Sequence, residues 1–303
     1  MDVAVTGSSG LIGSALRRAL EQAGHRVVRV VRGVAGPGGS GDTIRWDPAA
    51  GTMDAAGLEG IGAVVHLAGE GIGDRRWSDA QRARILDSRV QGTTLLAETL
   101  AKLQNPPATL VSGSAVGFYG DRGDETLDED SASGRGFLAD VCRQWEAATA
   151  PAEQAGVRVA HLRTGIVLSP AGGVLKKMVG PFKLGLGGRI GSGKQWMSWI
   201  TIDDEVGAIL HVLATAALSG PVNATAPNSV TNEQLTKALG QAVGRPTLMP
   251  LPAVALRLAL GQMAEELLLG GQRVLPKRLL DSGYAFTAPD VEAALQGLLR
   301  RAA

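Results

Sequence analysis

Apolar residues along this chain follow two spacings that take turns. Val3-Ala4-Val5 is an unbroken run of strand length, and behind it Ile12, Ala15, Leu16, Ala19, Leu20 and Ala23 recur at helical spacing until Gly24. A short apolar run, then one apolar helix face closed by glycine, predicts a strand followed by a helix. Val27-Val28-Arg29-Val30-Val31 supplies the next strand, and residues 43–46 and 63–67 read as two more. Ser78-Asp79-Ala80-Gln81 is a capping box that opens a helix running to about residue 102, where Asn105-Pro106-Pro107 stops it. A strand at 109–112, a helix at 138–148 and a strand at 157–162 continue the series. Such alternation predicts an α/β fold built on a parallel sheet with helices on both faces. From residue 169 the rhythm breaks into glycine-rich loops, a helix near 205–217 and a second capping box at Thr231-Asn232-Glu233-Gln234.

The chemistry begins where the first strand meets its helix. Gly7, Gly10 and Gly13 stand at i, i+3 and i+6 in Thr6-Gly7-Ser8-Ser9-Gly10-Leu11-Ile12-Gly13. Lacking Cβ atoms, they let the turn tighten and let a pyrophosphate approach the backbone at the positive end of the helix. The expected fold is therefore a Rossmann doubly wound parallel sheet with a smaller C-terminal substrate lobe. The dinucleotide domain spans 1–168, the lobe and a C-terminal extension span 169–303, and about 199–225 contributes back to the first unit. Ser9, Leu11 and Ile12 join the three glycines as candidate cofactor contacts, as do Leu67, Ala68 and Gly69 at the end of the strand closing on His66. An NAD site places an acid at the end of the second strand for the ribose hydroxyls. Here the strand ends in Arg32, with no acid until Asp42. A guanidinium there grips a 2′-phosphate, so the expected cofactor is NADP(H).

The spacing T-G-x-x-G-x-x-G resembles the short-chain dehydrogenase/reductase superfamily in its extended, sugar-epimerase-like branch. His66-Leu67-Ala68-Gly69, Arg89-Val90-Gln91-Gly92-Thr93, Ser112-Gly113-Ser114 and Trp199-Ile200-Thr201-Ile202-Asp203-Asp204 resemble further motifs of that superfamily. Gly69-Glu70, Arg76-Trp77, Ser88-Arg89, Phe137-Leu138-Ala139, Trp145-Glu146, Gly185-Leu186-Gly187-Gly188 and Pro250-Leu251-Pro252 together resemble the narrower group called epimerase family protein. That resemblance covers essentially the whole chain, extension included, and implies an NADP-binding fold. Arg89 stands where that superfamily has an Asn on the helix facing the nicotinamide half; as a candidate cofactor contact it either holds a phosphate or a substrate carboxylate, or is an ordinary exposed helix charge. Arg84, five residues earlier, is a further candidate.

The superfamily's chemistry uses a tyrosine with a lysine four residues later. Tyr119 is followed at that distance by Gly123, and Tyr284 by Ala288. Anchored on Glu146, the resemblance puts Leu138 at the tyrosine position and Cys142 at the lysine position. The candidates left for proton transfer are Ser114, Tyr119 and Glu70. The expected activity is an NADP(H)-dependent oxidoreductase of atypical short-chain dehydrogenase type acting on an unknown small molecule. The alternatives are a non-catalytic NADP(H)-binding sensor or scaffold and, third, a nucleotide-sugar epimerase or dehydratase.

Composition changes this picture little. Thirty Lys and Arg against 29 Asp and Glu give no electrostatic case for nucleic acid or a membrane surface. Cys142 is the only cysteine, so neither an intrachain disulfide nor a cysteine-based zinc cluster is available. No run approaches the ~18 apolar residues of a membrane span, and the chain reads as soluble and cytoplasmic. Four scattered histidines offer no metal spacing, and His66 is expected to end a strand beside the cofactor. Gly188-Arg189-Ile190-Gly191-Ser192-Gly193-Lys194-Gln195 imitates a P-loop, but Gln195 replaces the metal-holding Ser/Thr, so a substrate-side loop is expected. Trp196 and Trp199 either line a pocket or fill core. The glycine-rich 36–41 reads as a flexible surface loop, and the apolar 250–269 as a buried helix or one that forms a homodimer.

Overall fold

The computed structural model describes residues 1–33 and 42–301, so the loop expected at 36–41 lies outside the described residues. Its centre is an eight-stranded sheet: β1 (Asp2–Thr6), β2 (Arg26–Arg32), β3 (Thr43–Asp47), β4 (Thr52–Met53), β5 (Ala63–His66), β6 (Thr109–Ala115), β7 (Arg158–Thr164) and β8 (Gly220–Ala224). The spatial order is β4-β3-β2-β1-β5-β6-β7-β8. Every pair in it is parallel except β3–β4. The order reverses between β1 and β5, where Thr6 pairs with His66.

The long helices flanking the sheet are α1 (Leu11–Gln22), α2 (Asp79–Ala101), α3 (Phe137–Ala147) and α4 (Ile202–Ala214). Because successive strand residues point to opposite faces, the run Val3-Ala4-Val5 serves two cores at once. Val3 and Val5 pack with Leu16 and Leu20 of α1 and with Val206, Ile209 and Val212 of α4. Ala4 packs on the other side with Leu96, Ala97 and Leu100 of α2. Helix α1 ends as its sequence demands: Gly24 has φ +78°, and the His25 and Gly24 N–H groups donate to the Leu20 and Glu21 carbonyls.

A third core belongs to the C-terminal half. Phe182, Trp199, Leu235, Leu239, Leu295 and Leu298 bury one another among the helices Gly173–Lys183, Asn232–Val243 and Val291–Arg300. Of the two readings of Trp199, core is the one observed. Residues 199–224 also return to the sheet, since α4 packs on its face and β8 pairs with β7.

Five elements differ from expectation. Strands β6 and β7 run on to Ala115 and Thr164, because the chain stays paired there. Helix α4 starts three residues early, capped by Thr201, whose hydroxyl accepts from the Asp204 N–H. At α2 Ser78 accepts from the Gln81 N–H, but the Gln81 side chain turns away to Glu70 and Arg84; Thr231 and Gln234 form the reciprocal box expected of them. Finally, 250–269 is not one buried helix. Gly261, at φ +60°, breaks it between Ala253–Leu260 and a wider turn at Glu265–Leu269, and Val254 and Leu258 face outward.

Candidate functional site

A cleft crosses the C-terminal ends of the strands at the point where the strand order reverses, the usual ligand position in open α/β sheets. It has an outer compartment of about 680 Å³ and an inner one of about 570 Å³. Gly7, Gly10, Leu67 and Gly69 line both.

The glycine turn forms their shared floor. Gly7 has φ +64°, and a Cβ there would lie 2.7 Å from the Leu67 carbonyl oxygen. A Cβ on Gly13 would lie 2.2 Å from the Gly7 carbonyl oxygen, so those two positions are closed by the protein itself. Gly10 differs. A Cβ there meets only the Gly7 oxygen at 3.3 Å, and its open side faces the cleft. Gly10 is also the residue ahead of α1, and no side chain caps that helix end. Its first N–H groups are left for an anion. Ser9, Leu11 and Ile12 line the cleft around the turn.

A buried polar lock holds the facing strand end. Thr6 Oγ1 accepts from the Leu67 and Ala68 N–H groups at 3.0 and 3.1 Å, so its own proton goes to His66 Nδ1, 2.7 Å away. His66 Nε2 then carries the ring proton and donates to Thr93 Oγ1 at 3.0 Å. Burial pulls the imidazole down to about 4, which keeps it neutral. His66 thus ends a strand at the cleft floor and organises Leu67-Ala68-Gly69 from beneath.

The outer compartment is cationic. Arg32 lines it as expected, and Arg17 and Arg29 join it, with no Asp or Glu among the described lining residues. The sequence reading missed those two. Arg17 follows Gly13 by one helical turn, and that spacing was the available signal.

The inner wall comes from α3, β6, the loop after β5 and the C-terminal segment. Leu138, Val141, Cys142 and Trp145 share one face of α3 and all line the cleft. Leu138 and Cys142 therefore stand together on the inner wall, a helical turn apart. Burial, then the Glu146 carboxylate, push the Cys142 thiol up to about 11, so it stays protonated. Ser114 also lines the wall, but its hydroxyl donates to Glu146 Oε1 at 2.6 Å. Glu146 in turn receives Arg163 Nε and Nη2 at 2.8 and 2.9 Å. With its proton committed, Ser114 can offer a ligand only lone pairs.

Two candidates do not reach the cleft. Tyr119 is fully buried; its hydroxyl accepts from Arg163 Nη1 and donates to Asn223 Oδ1 at 2.7 Å, and burial raises its pKa. Its expected role as a proton donor is corrected accordingly. Arg84 is exposed on α2, and its guanidinium is spent on Gln81 Oε1. Glu70 and Arg89 do line the inner compartment. Arg89 Nη1 donates to the Glu70 and Ile85 carbonyls, and the guanidinium lies 5.0 Å from the centre of the Trp145 ring.

The C-terminal segment closes the wall, which no local sequence signal announced. Glu266, Leu267, Gly270, Gly271 and Gln272 line it, as does Trp196. Glu266 accepts from the Phe137 and Leu138 N–H groups at 3.0 and 2.8 Å, capping α3 from the far end of the chain. Gly136 makes room for it: φ is +115°, and a Cβ would press on the Glu266 carboxylate at 3.2 Å. The Gly188–Gln195 loop is no phosphate cradle; Gln195 donates to the Ile190 and Leu268 carbonyls and so ties the loop to this segment. Among the described residues, no helix is long and apolar enough to cross a membrane.

Comparison with known proteins fits this arrangement. Residues 3–224 match the NAD dependent epimerase/dehydratase family, and residues 251–298 match a domain of unknown function, DUF1731. The epimerase family protein MT2273 of Mycobacterium tuberculosis is 48% identical over 293 residues, covering 97% of this chain and 96% of that protein. The crystal structure of human epimerase family protein SDR39U1 (isoform 2) with NADPH superposes with a TM-score of 0.90 at 36% identity, covering 99% of each chain. A structure described as the nucleoside-diphosphate sugar epimerase from Corynebacterium glutamicum is 40% identical with a TM-score of 0.78, covering 98% of this chain and 58% of that one.

Proposed function

Since the chain belongs to the NAD dependent epimerase/dehydratase family, we propose that it is an NADP(H)-dependent oxidoreductase of atypical short-chain dehydrogenase type acting on a small molecule. The observation that carries this is the outer compartment: a glycine turn open at Gly10, ringed by Arg17, Arg29 and Arg32 with no described acid among its lining. The NADPH held by the human relative supports the same cofactor here.

The residues fit the cofactor. The turn around Gly7, Ser9, Gly10, Leu11, Ile12 and Gly13 would hold the pyrophosphate through backbone N–H groups. Arg32, with Arg17 and Arg29, would hold the 2′-phosphate, and Leu67-Ala68-Gly69 would flank the ribose. When bound, the cofactor supplies or accepts a hydride. Leu138 has no proton to give, and Cys142, protonated and buried, offers no fixed positive charge. Ser114 orients a substrate only by accepting, because Glu146 holds its proton. Glu70 is the remaining candidate to move a proton, from the inner wall beside Arg89.

A second reading, NADP(H) binding without turnover, is favoured by the pairing of Leu138 and Cys142 at the place where catalysis would be expected. Nucleotide-sugar epimerisation ranks third, because Tyr119 lies outside the cleft. NADPH titration followed by turnover with a panel of carbonyl compounds separates these readings. Slow NADPH oxidation supports the first, and tight binding without oxidation the second. Failure to bind NADPH would refute both, and brisk conversion of UDP-sugars would favour the third.

A further inference from the structure

Two arginines lie behind the inner wall, and their pairing is unequal. Arg163 is enclosed by a two-point contact with Glu146. Arg89 has no such partner: among the described residues no carboxylate comes within 4.0 Å of it. Glu70, the nearest acid in its surroundings, offers its backbone carbonyl instead, and its side chain turns to Gln81. Burial draws the guanidinium pKa down and outweighs the nearby Cys142 and Glu70 groups, which act in the other direction. Nη1 is engaged, while Nε and Nη2 make no hydrogen bond within the fold, on a side chain that lines the inner compartment. The Trp145 ring fixes the plane of that fork.

We propose that Arg89 is the receptor for a carboxylate on the substrate, so that the substrate class is a small carbonyl compound bearing one carboxylate. This rests on the cofactor reading above. Arg89 lines only the inner compartment, away from the glycine turn's outer side and the three arginines there. A planar fork with free N–H groups matches a carboxylate at two points. The rest of that wall is mixed, with Ile72, Val116, Leu138, Val141 and Leu267 beside the polar Glu70, Thr164, Ser198, Glu266 and Gln272. The carboxylate supplies the charge that Arg89 lacks within the fold.

The test uses the full chain saturated with NADP⁺ and titrated by calorimetry with 4-methyl-2-oxopentanoate, its methyl ester and UDP-glucose. The acid is expected to bind about tenfold to a hundredfold more tightly than the ester, the range of one charge-assisted contact. Arg89→Met should abolish that preference, and parallel titration with NADPH reports any loss at the adjoining Gly69 end of the cofactor site. Equal binding of acid and ester, tighter binding of UDP-glucose, or no binding of any probe at millimolar concentration overturns the proposal. So does an Arg89→Met variant that loses NADPH but keeps the acid preference. If Arg89→Met does not fold, Arg89→Lys decides: it keeps the charge and loses the fork, so the acid-to-ester ratio must fall. A wild-type chain that prefers the acid yet binds no NADPH would refute the cofactor reading alone.

Discussion

Replacing Glu205 with glutamine should make the protein more stable, and only above mildly acidic pH. Glu205 sits in the first turns of α4 with no exposed surface. Its Oε1 accepts from Thr164 Oγ1 at 2.8 Å, and Oε2 has no partner. Burial pushes the carboxyl up from 4.5 to about 8. At roughly 1.4 kcal/mol per pH unit, that displacement corresponds to something on the order of 5 kcal/mol. The sign follows from proton counting. Below about 4.5 both folded and unfolded chains hold the proton, and Glu205 has no effect on the pH dependence of stability. Between about 4.5 and 8 the unfolded chain releases it while the folded chain keeps it, so stability falls as pH rises. Above about 8 the full loss is in place. Glutamine keeps the acceptor for Thr164 and cannot ionise. Urea unfolding of wild type and Glu205→Gln, run from pH 5 to 8.5, should show a gap that widens in the variant's favour by several kcal/mol. A gap constant over that window would refute the reasoning.

Three further outcomes are expected. Arg32→Ala should weaken NADPH about tenfold to a hundredfold and leave NADH unchanged, one charge-assisted contact being worth ~1.5–3 kcal/mol; fluorescence titration of both cofactors checks it. Gly10→Val should fold and lose cofactor binding, whereas Gly13→Ala should fail to fold normally, because its Cβ would stand 2.2 Å from a backbone oxygen; circular dichroism beside the same titration separates them, and equal behaviour of the two variants contradicts the account of the turn. Cys142, buried and held at about 11, should react with iodoacetamide at pH 8 more than about a hundredfold slower than a free thiol, as followed by intact mass.

What could be read from the sequence was local. The strand–turn–helix at Val3–Gly24 depends on residues adjacent in the chain, and each glycine proved to have the space or dihedral its position implied. Ser114 on β6 and the α3 face with Leu138 and Cys142 line the same compartment, since spacing on one element fixes a face. The failures at Ser114 and Tyr119 came from partners distant in the chain, whereas Arg84 was lost to Gln81 three residues away. Ser114 and Tyr119 kept their positions and lost their availability, because Glu146, Arg163 and Asn223 converge on them from other elements. The apolar content of 250–269 suggested burial, and only the break at Gly261 and the pull of Glu266 toward α3 show why part of it faces outward.

The cap that Glu266 places on α3 spans 128 to 129 positions of chain. On the ribosome, the glycine turn and β1 emerge well before the stretch from Glu266 to Gln272. The half of the cleft that would grip phosphates can therefore take shape long before the half that would enclose a reacting group. A dinucleotide that needs both halves discriminates between an unfinished chain and a finished one. At a hundredfold excess over its Kd it adds about 2.7 kcal/mol to the completed topology alone. A ligand that bridges both halves would therefore favour molecules in which Glu266 has reached α3.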